Sequence, residues 1–193
     1  MSILTPNFCE LDSWSIPHAQ KALKERDGRA FGWVAGSSGR NLGVVFDNMP
    51  LLKKLGMYEA ALISAFTSVK TNFHHWDHSV IKWMFDLADR NRLQSLGTAI
   101  PNEPVTAYRG VSGVGKKRHV HGISWTTSQD MACWFAIRFA NLGNPSVFKC
   151  VFDPKDIYVM HNGRNEDELI GVPQKPINCK LTVEQMNEGF LEF

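Results

Sequence analysis

The pattern of apolar and polar positions changes character near Pro101. Upstream, apolar residues recur at helical spacing; downstream, short apolar runs are cut by Gly, Pro, Asn and Asp turns. In SIPHAQKALKERDG (Ser15–Gly28), Ala19, Ala22 and Leu23 share one face, Pro17 stands in the first turn and Gly28 offers a stop, which predicts a short helix. FGWVA and LGVVF then flank a Gly/Ser-rich turn over Gly36–Asn41, a setting that suits a hairpin or a flexible loop. GSSGR within it lacks the Walker spacing and the Lys-Ser/Thr ending, so it reads as a surface turn rather than a phosphate cradle. Met49–Asn72 is helical and broken at Gly56, with Tyr58, Ala61, Leu62, Ala65 and Phe66 as its stripe. Ser79–Leu93 is another helix, with Ile81, Met84, Phe85 and Ala88 inward. Between them, His74 and His78 stand at i and i+4 in FHHWDH. Zinc would need a third converging ligand, and neither a metalloprotease glutamate nor a nearby Cys or His supplies one. These helices read as scaffold, and no metal site is expected.

After Pro101 come VTAYRG, HGISW, PSVFKCVF, DIYVM, DELIGV and INCKLTV, each with the length and composition of a strand. One helix interrupts them, over Gln129–Ala140. Ala132, Phe135, Ala136 and Phe139 recur there at i, i+3, i+4 and i+7, and the hydroxyls of Thr126, Thr127 and Ser128 stand ahead of it as N-cap candidates. Strands without regular intervening helices favour a mixed or antiparallel sheet over a doubly wound one. The expected class is α+β, a helical region over residues 1–100 packed on a β-rich region over residues 101–193, forming one compact domain.

Composition changes this picture little. The 193 residues are 44% hydrophobic and 21% charged, an ordinary globular balance. The net charge of +2 does not force nucleic-acid binding. The glycine-rich loop GVSGVGKKRHVHG (Gly110–Gly122) is locally basic and reads as mobile, able to close over phosphates or meet an acidic target. The cysteines Cys9, Cys133, Cys150 and Cys179 form no CxxC pair, which suits reduced thiols in a reducing compartment. The first residues, MSILTPNFCELD, lack the basic and apolar regions of a signal peptide. No apolar run approaches the ~20 residues of a membrane span, so a cytoplasmic, membrane-free protein is expected.

Three pieces of the β-rich half stand out together: Tyr108-Arg109-Gly110, the turn Thr126-Thr127-Ser128 with its following helix, and Glu166-Asp167-Glu168. In this order they resemble the arginine–serine–glutamate signature of the ADP-ribosyltransferase superfamily, in the branch with Ser-Thr-Ser and Glu-x-Glu motifs. The resemblance covers roughly Val105–Val183, and some bacteriophage and bacterial enzymes share the layout. It implies the split β-sandwich of that superfamily, NAD+ as substrate and no metal. Threonine stands at the first position of the Ser-Thr-Ser motif; Thr126 keeps the hydroxyl but stiffens χ1.

The resemblance also implies roles, and the residue types fit them. Breaking the nicotinamide–ribose bond develops positive charge on the ribose, which a carboxylate near its hydroxyls stabilises. That role falls to Glu168. Arg109 would grip the diphosphate with its planar fork of donors. Thr126 and Ser128 would orient the glutamate, with Thr127 lining the pocket beside them. Glu166, on the same strand face as Glu168 by the period of two, would position or deprotonate the incoming nucleophile. Trp125, Trp134 and Phe135 are candidates to stack on nicotinamide or adenine, although aromatics on a helix stripe more often belong to the core. A glutamate at the Glu166 position goes with arginine as acceptor in the family, so transfer to a protein arginine is the first expectation. NAD+ glycohydrolysis, transfer to nucleic acid through Lys116–Arg118, and an inactive binding module of the same fold are the alternatives.

Overall fold

Small residues decide which helices meet in the first half of the chain. The computed structural model describes residues 4–37, 41–68, 76–163 and 165–190. The chain divides into two compact units, Met1–Leu93 and Gln94–Phe193. Helices α1 (Ile16–Glu25), α2 (Gly28–Ser37), α3 (Asn41–Asp47), α4 (Met49–Leu55), α5 (Tyr58–Thr67), α6 (His78–Asp86) and α7 (Arg90–Ser95) come first. The hairpin or loop expected from FGWVA and LGVVF is therefore corrected: both runs are helical, in α2 and α3. Gly28 and Gly32 of α2 serve close packing against α5, not turning. A Cβ on Gly28 would lie 2.5 Å from the Met57 carbonyl oxygen, and one on Gly32 would overlap the Ala61 carbonyl and lie 2.8 Å from Ser64 Cβ. Residues 38–40 of the predicted turn, and His74, lie outside the described residues.

Gly28 is also not the stop of α1. That helix closes at Arg26, which turns left-handed at φ 55 and bonds back to the carbonyls of Ala22 and Leu23. Gly56 (φ 71) does end α4. The α5 stripe Tyr58, Ala61, Leu62, Ala65 and Phe66 is buried as a set. Tyr58 ties α5 to α6 by donating to the Met84 carbonyl at 2.9 Å. Buried Glu59 accepts from the Asp89 amide at 2.9 Å. The helix expected over Ser79–Leu93 is two helices, since α6 ends at Asp86 and α7 begins at Arg90. His78 opens α6, behind an Asp77 cap that accepts from the Ser79 amide at 2.8 Å.

The second unit is built on a six-stranded antiparallel sheet. Its strands are β1 (Val105–Val111), β2 (Ser124–Thr126), β3 (Ser146–Phe152), β4 (Ile157–His161), β5 (Glu168–Gly171) and β6 (Ile177–Asn178), in the order β4-β5-β2-β1-β3-β6. The protein is thus α+β. The unit begins at Gln94, ahead of the expected boundary at Pro101, because Thr98 already bridges β4, its amide donating to the Met160 carbonyl at 2.8 Å. One sheet face carries Ala107, Trp125, Cys150, Phe152 and Leu169. The other is covered by α8 (Gln129–Arg138) and α9 (Val183–Phe190), whose Ala132, Cys133, Ala136 and Met186 pack with Val147 and Tyr108. Strand β6 is shorter than INCKLTV suggested, and α9 follows it. A capping box starts α9: the Thr182 amide donates to Gln185 Oε1 at 2.9 Å and the Gln185 amide to Thr182 Oγ1 at 3.3 Å. No helix among the described residues is long and apolar enough to cross a membrane.

Two predictions follow from the packing. Gly32→Ala should destabilise the helical unit by about 1–3 kcal/mol, because the added methyl meets backbone rather than a flexible side chain; urea melts monitored by far-UV circular dichroism measure it. Burial first, then Asp130 and Cys179, push the Cys133 thiol up to about 11, so it holds its proton at pH 8. Iodoacetamide at that pH should label exposed Cys9 and spare Cys133 until the protein is unfolded.

Candidate active site

The sheet order brings the separated segments of the β-rich half side by side, since β1, β2 and β5 are consecutive neighbours. Tyr108 pairs with Thr126, and Thr126 pairs with Glu168, so one cross-strand rung joins all three. That rung is also the single pair between β1 and β2. The sheet is therefore two blocks, β4-β5-β2 and β1-β3-β6, held together at one point.

Just beyond the rung, where β1 and β2 diverge, Arg109 fills the gap. Its Nε donates to the His119 carbonyl at 3.0 Å and its Nη1 to the Ser124 carbonyl. Gly122 lies against the guanidinium, where a Cβ would meet Nη2. Burial pushes the Arg109 pKa down to about 10, and the nearby Glu168 carboxylate acts the other way, so the group stays charged at neutral pH. Two arms of the fork expected for phosphates are thus engaged with backbone, and Nη2 is the arm left over.

Glu168 opens β5 and is buried. Its Oε1 accepts from Ser124 Oγ at 2.6 Å. The hydroxyl that orients this carboxylate is therefore Ser124, not Thr126. Both residues share a face of β2, but the diagonal neighbour reaches the carboxylate while Thr126 is occupied elsewhere. Thr126 Oγ1 donates to the Glu166 carbonyl at 2.7 Å and accepts from the Ser128 amide at 3.1 Å. The Thr127 amide adds a bond to the Asp167 carbonyl at 3.1 Å. Ser128 caps α8, accepting from the Met131 amide at 3.1 Å. The TTS turn is thus a staple and a cap.

The remaining expectations are redistributed. Glu166 does not share a strand face with Glu168: β5 starts only at Glu168, and Asn165 (φ 57) and Asp167 (φ 44) on either side are left-handed, which breaks the period of two. Trp125 is no stacking platform. It is 2% exposed, edge-on to Phe152 with centroids 5.4 Å apart, and its indole donates to the Gly122 carbonyl at 2.7 Å. Phe135 is half-buried against Trp134 rather than on the inner face of α8, which Met131, Ala132, Cys133 and Ala136 form. Tyr108 packs on the cluster under α8. Gly110 lets β1 touch that helix, since a Cβ would overlap the Ala132 carbonyl and lie 2.6 Å from the Ala136 amide. The basic loop is tied down rather than loose. It holds a 3₁₀ turn over Gly115–Arg118, the Gly113 amide bonds the Gly143 carbonyl at 2.5 Å, and Arg118 reaches Ser146 Oγ and stacks on Phe148 at 5.4 Å.

Two residues escaped the sequence reading. Ser124 lies in ISW, treated there as plain strand; a polar residue inside an otherwise apolar strand run was the available signal. His161, just before the Asn-Gly turn, pairs with Glu168 across β4 and β5. No family model, curated protein or solved structure matches this chain.

Because Arg109 closes the gap between β1 and β2, Arg109→Met should cost the sheet unit about 3 kcal/mol, as charge-assisted bonds to two part-buried carbonyls are lost. Arg109→Lys should recover little of it, since an ammonium cannot span both oxygens. Chemical denaturation of the two variants measures this.

Proposed function

We propose that the chain is a mono-ADP-ribosyltransferase that cleaves NAD+, releases nicotinamide and transfers ADP-ribose to a macromolecule, with a protein arginine as the acceptor class its Glu-x-Glu pattern implies. The observation that carries this reading is the Ser124–Glu168 bond, at 2.6 Å, on a buried carboxylate whose strand is separated by β2 alone from the strand that bears Arg109. Two blocks of strands joined at one rung also suit the split β-sandwich of that superfamily.

The chemistry follows from charge. As the glycosidic bond breaks, its electron pair leaves with nicotinamide and the ribose becomes cationic. A carboxylate held at a fixed angle and largely shielded from water stabilises that cation more than it stabilises neutral ribose, which is what lowers a barrier. Ser124 is the positioning residue, fixing Oε1 of the carboxylate so that the charge stands at a defined angle. We assign the Nη2 arm of Arg109 to a phosphate oxygen, since Nε and Nη1 are bonded to backbone. Hydrolysis is the second reading, favoured by one observation: Glu166 stands off the strand, so the argument that it serves an acceptor side chain loses its geometric footing.

Glu168→Gln keeps the shape and removes the charge. Nicotinamide release from NAD+, followed by chromatography, should fall about 10²–10³-fold, the range for losing one preorganised electrostatic group. Labelled NAD+ incubated with a cell lysate should mark protein bands with the wild-type chain and not with the variant. Release by Glu168→Gln at the wild-type rate would sink the assignment.

A further inference from the structure

The rung that holds Glu168 extends one strand further than the sequence motifs do. Across four adjacent strands it reads Tyr108 (β1), Thr126 (β2), Glu168 (β5) and His161 (β4). Residues paired in this way project from the same face with Cβ atoms roughly 4.5–5.5 Å apart. His161 is therefore the cross-strand neighbour of Glu168, on the side opposite Thr126. Its ring lies against Gly163, where any Cβ would overlap Nε2. His161 is half-buried, so it is neither sealed in the core nor fully solvated.

We propose that His161 is the general base that takes the proton of the incoming nucleophile, the role the sequence pattern had given to Glu166. This rests on the ADP-ribosyl-transfer reading above. Glu166 sits in a turn between two left-handed residues, whereas His161 is fixed by the ladder itself beside the group that holds the ribose. An imidazole also titrates near neutrality, where a base is most effective. The step balances. The bond from the nucleophile to the anomeric carbon forms, the carbon–nitrogen bond to nicotinamide breaks with its electron pair leaving on nicotinamide, and the nucleophile's proton passes to the imidazole, which becomes cationic. Glu168 then stands beside two successive positive charges, on the ribose and on His161. The acidic group paired with His161 is Glu168 on β5; Thr98, bridged to the other side of β4 at Met160, is uncharged.

The test uses the full chain and NAD+. In the wild-type protein, turnover should fall as pH drops through the titration of the imidazole, because a protonated ring cannot accept a proton. His161→Gln should lose about 10²-fold in kcat at pH 7.5 with little change in KM for NAD+, and should lack that acidic limb. Gly163→Ala, which displaces the His161 ring while every residue of the rung keeps its identity, should lower kcat in the same direction. Proton NMR gives a readout apart from turnover: the His161 ring should titrate at lower pH in Glu168→Gln than in the wild-type protein, since a neighbouring carboxylate favours the imidazolium. Wild-type turnover in His161→Gln, an acidic limb that persists in it, or a ring titration indifferent to Glu168→Gln would each overturn the base role alone. Absence of nicotinamide release by the wild-type chain would overturn the transferase reading and the base role with it.

Discussion

The β-rich unit depends on one place where a sheet nearly comes apart. Strands β1 and β2 share a single pair, Tyr108 with Thr126, and then diverge. Backbone groups at such a split still require partners, because a buried carbonyl without one costs free energy comparable to a lost hydrogen bond. Here a charged side chain supplies them. The Arg109 guanidinium reaches the Ser124 and His119 carbonyls and so bridges β2 and the loop before it to β1. Desolvating that charge is unfavourable, as the downward pull on its pKa to about 10 indicates, and the Glu168 carboxylate nearby offsets part of the penalty. The split, the cation that fills it and the anion that balances it form one interdependent unit.

A second constraint sets where that anion stands. The turn before β5 is fastened to the end of β2 by side chain and backbone together: Thr126 Oγ1 holds the Glu166 carbonyl, and the Thr127 amide holds the Asp167 carbonyl. The left-handed residues needed to make the turn are Asn165 and Asp167, the types that tolerate that conformation at least cost. Because Thr126 Oγ1 also accepts the Ser128 amide ahead of α8, the turn, the strand end and the helix start share one oxygen. Rigidity of this kind is what a carboxylate needs if its charge is to act at a defined position rather than on average.

How much of this was legible beforehand differs by element. The α5 stripe and the strands VTAYRG and SVFKCVF were readable because local periodicity and burial agree there. Gly28 misled, since a glycine that admits a neighbouring helix looks the same in sequence as one that stops a helix; only the partner backbone of α5 tells them apart. Helix α9 carried a readable capping box in Thr182 and Gln185, masked by the β-like INCKLTV before it. Ser124, Glu166 and His161 could not be assigned by eye for a common reason. Which hydroxyl meets Glu168, and which neighbour stands beside it, are set by ladder register and by the residue at which β5 begins, and both are long-range quantities.

Every group in the candidate site comes from residues 108–168, within the second unit and largely within one rung and its immediate flanks. That economy has a chemical consequence. A rung sets its side chains at fixed lateral spacing, so a hydroxyl, a carboxylate and an imidazole in adjacent places cannot drift apart without breaking the strand pairing that holds the two blocks together. Stability and site geometry are then secured by the same hydrogen bonds, and a substitution that loosens the rung should affect both. The helical unit is held by other means: its packing centres on α2 against α5 and on the buried α5 stripe.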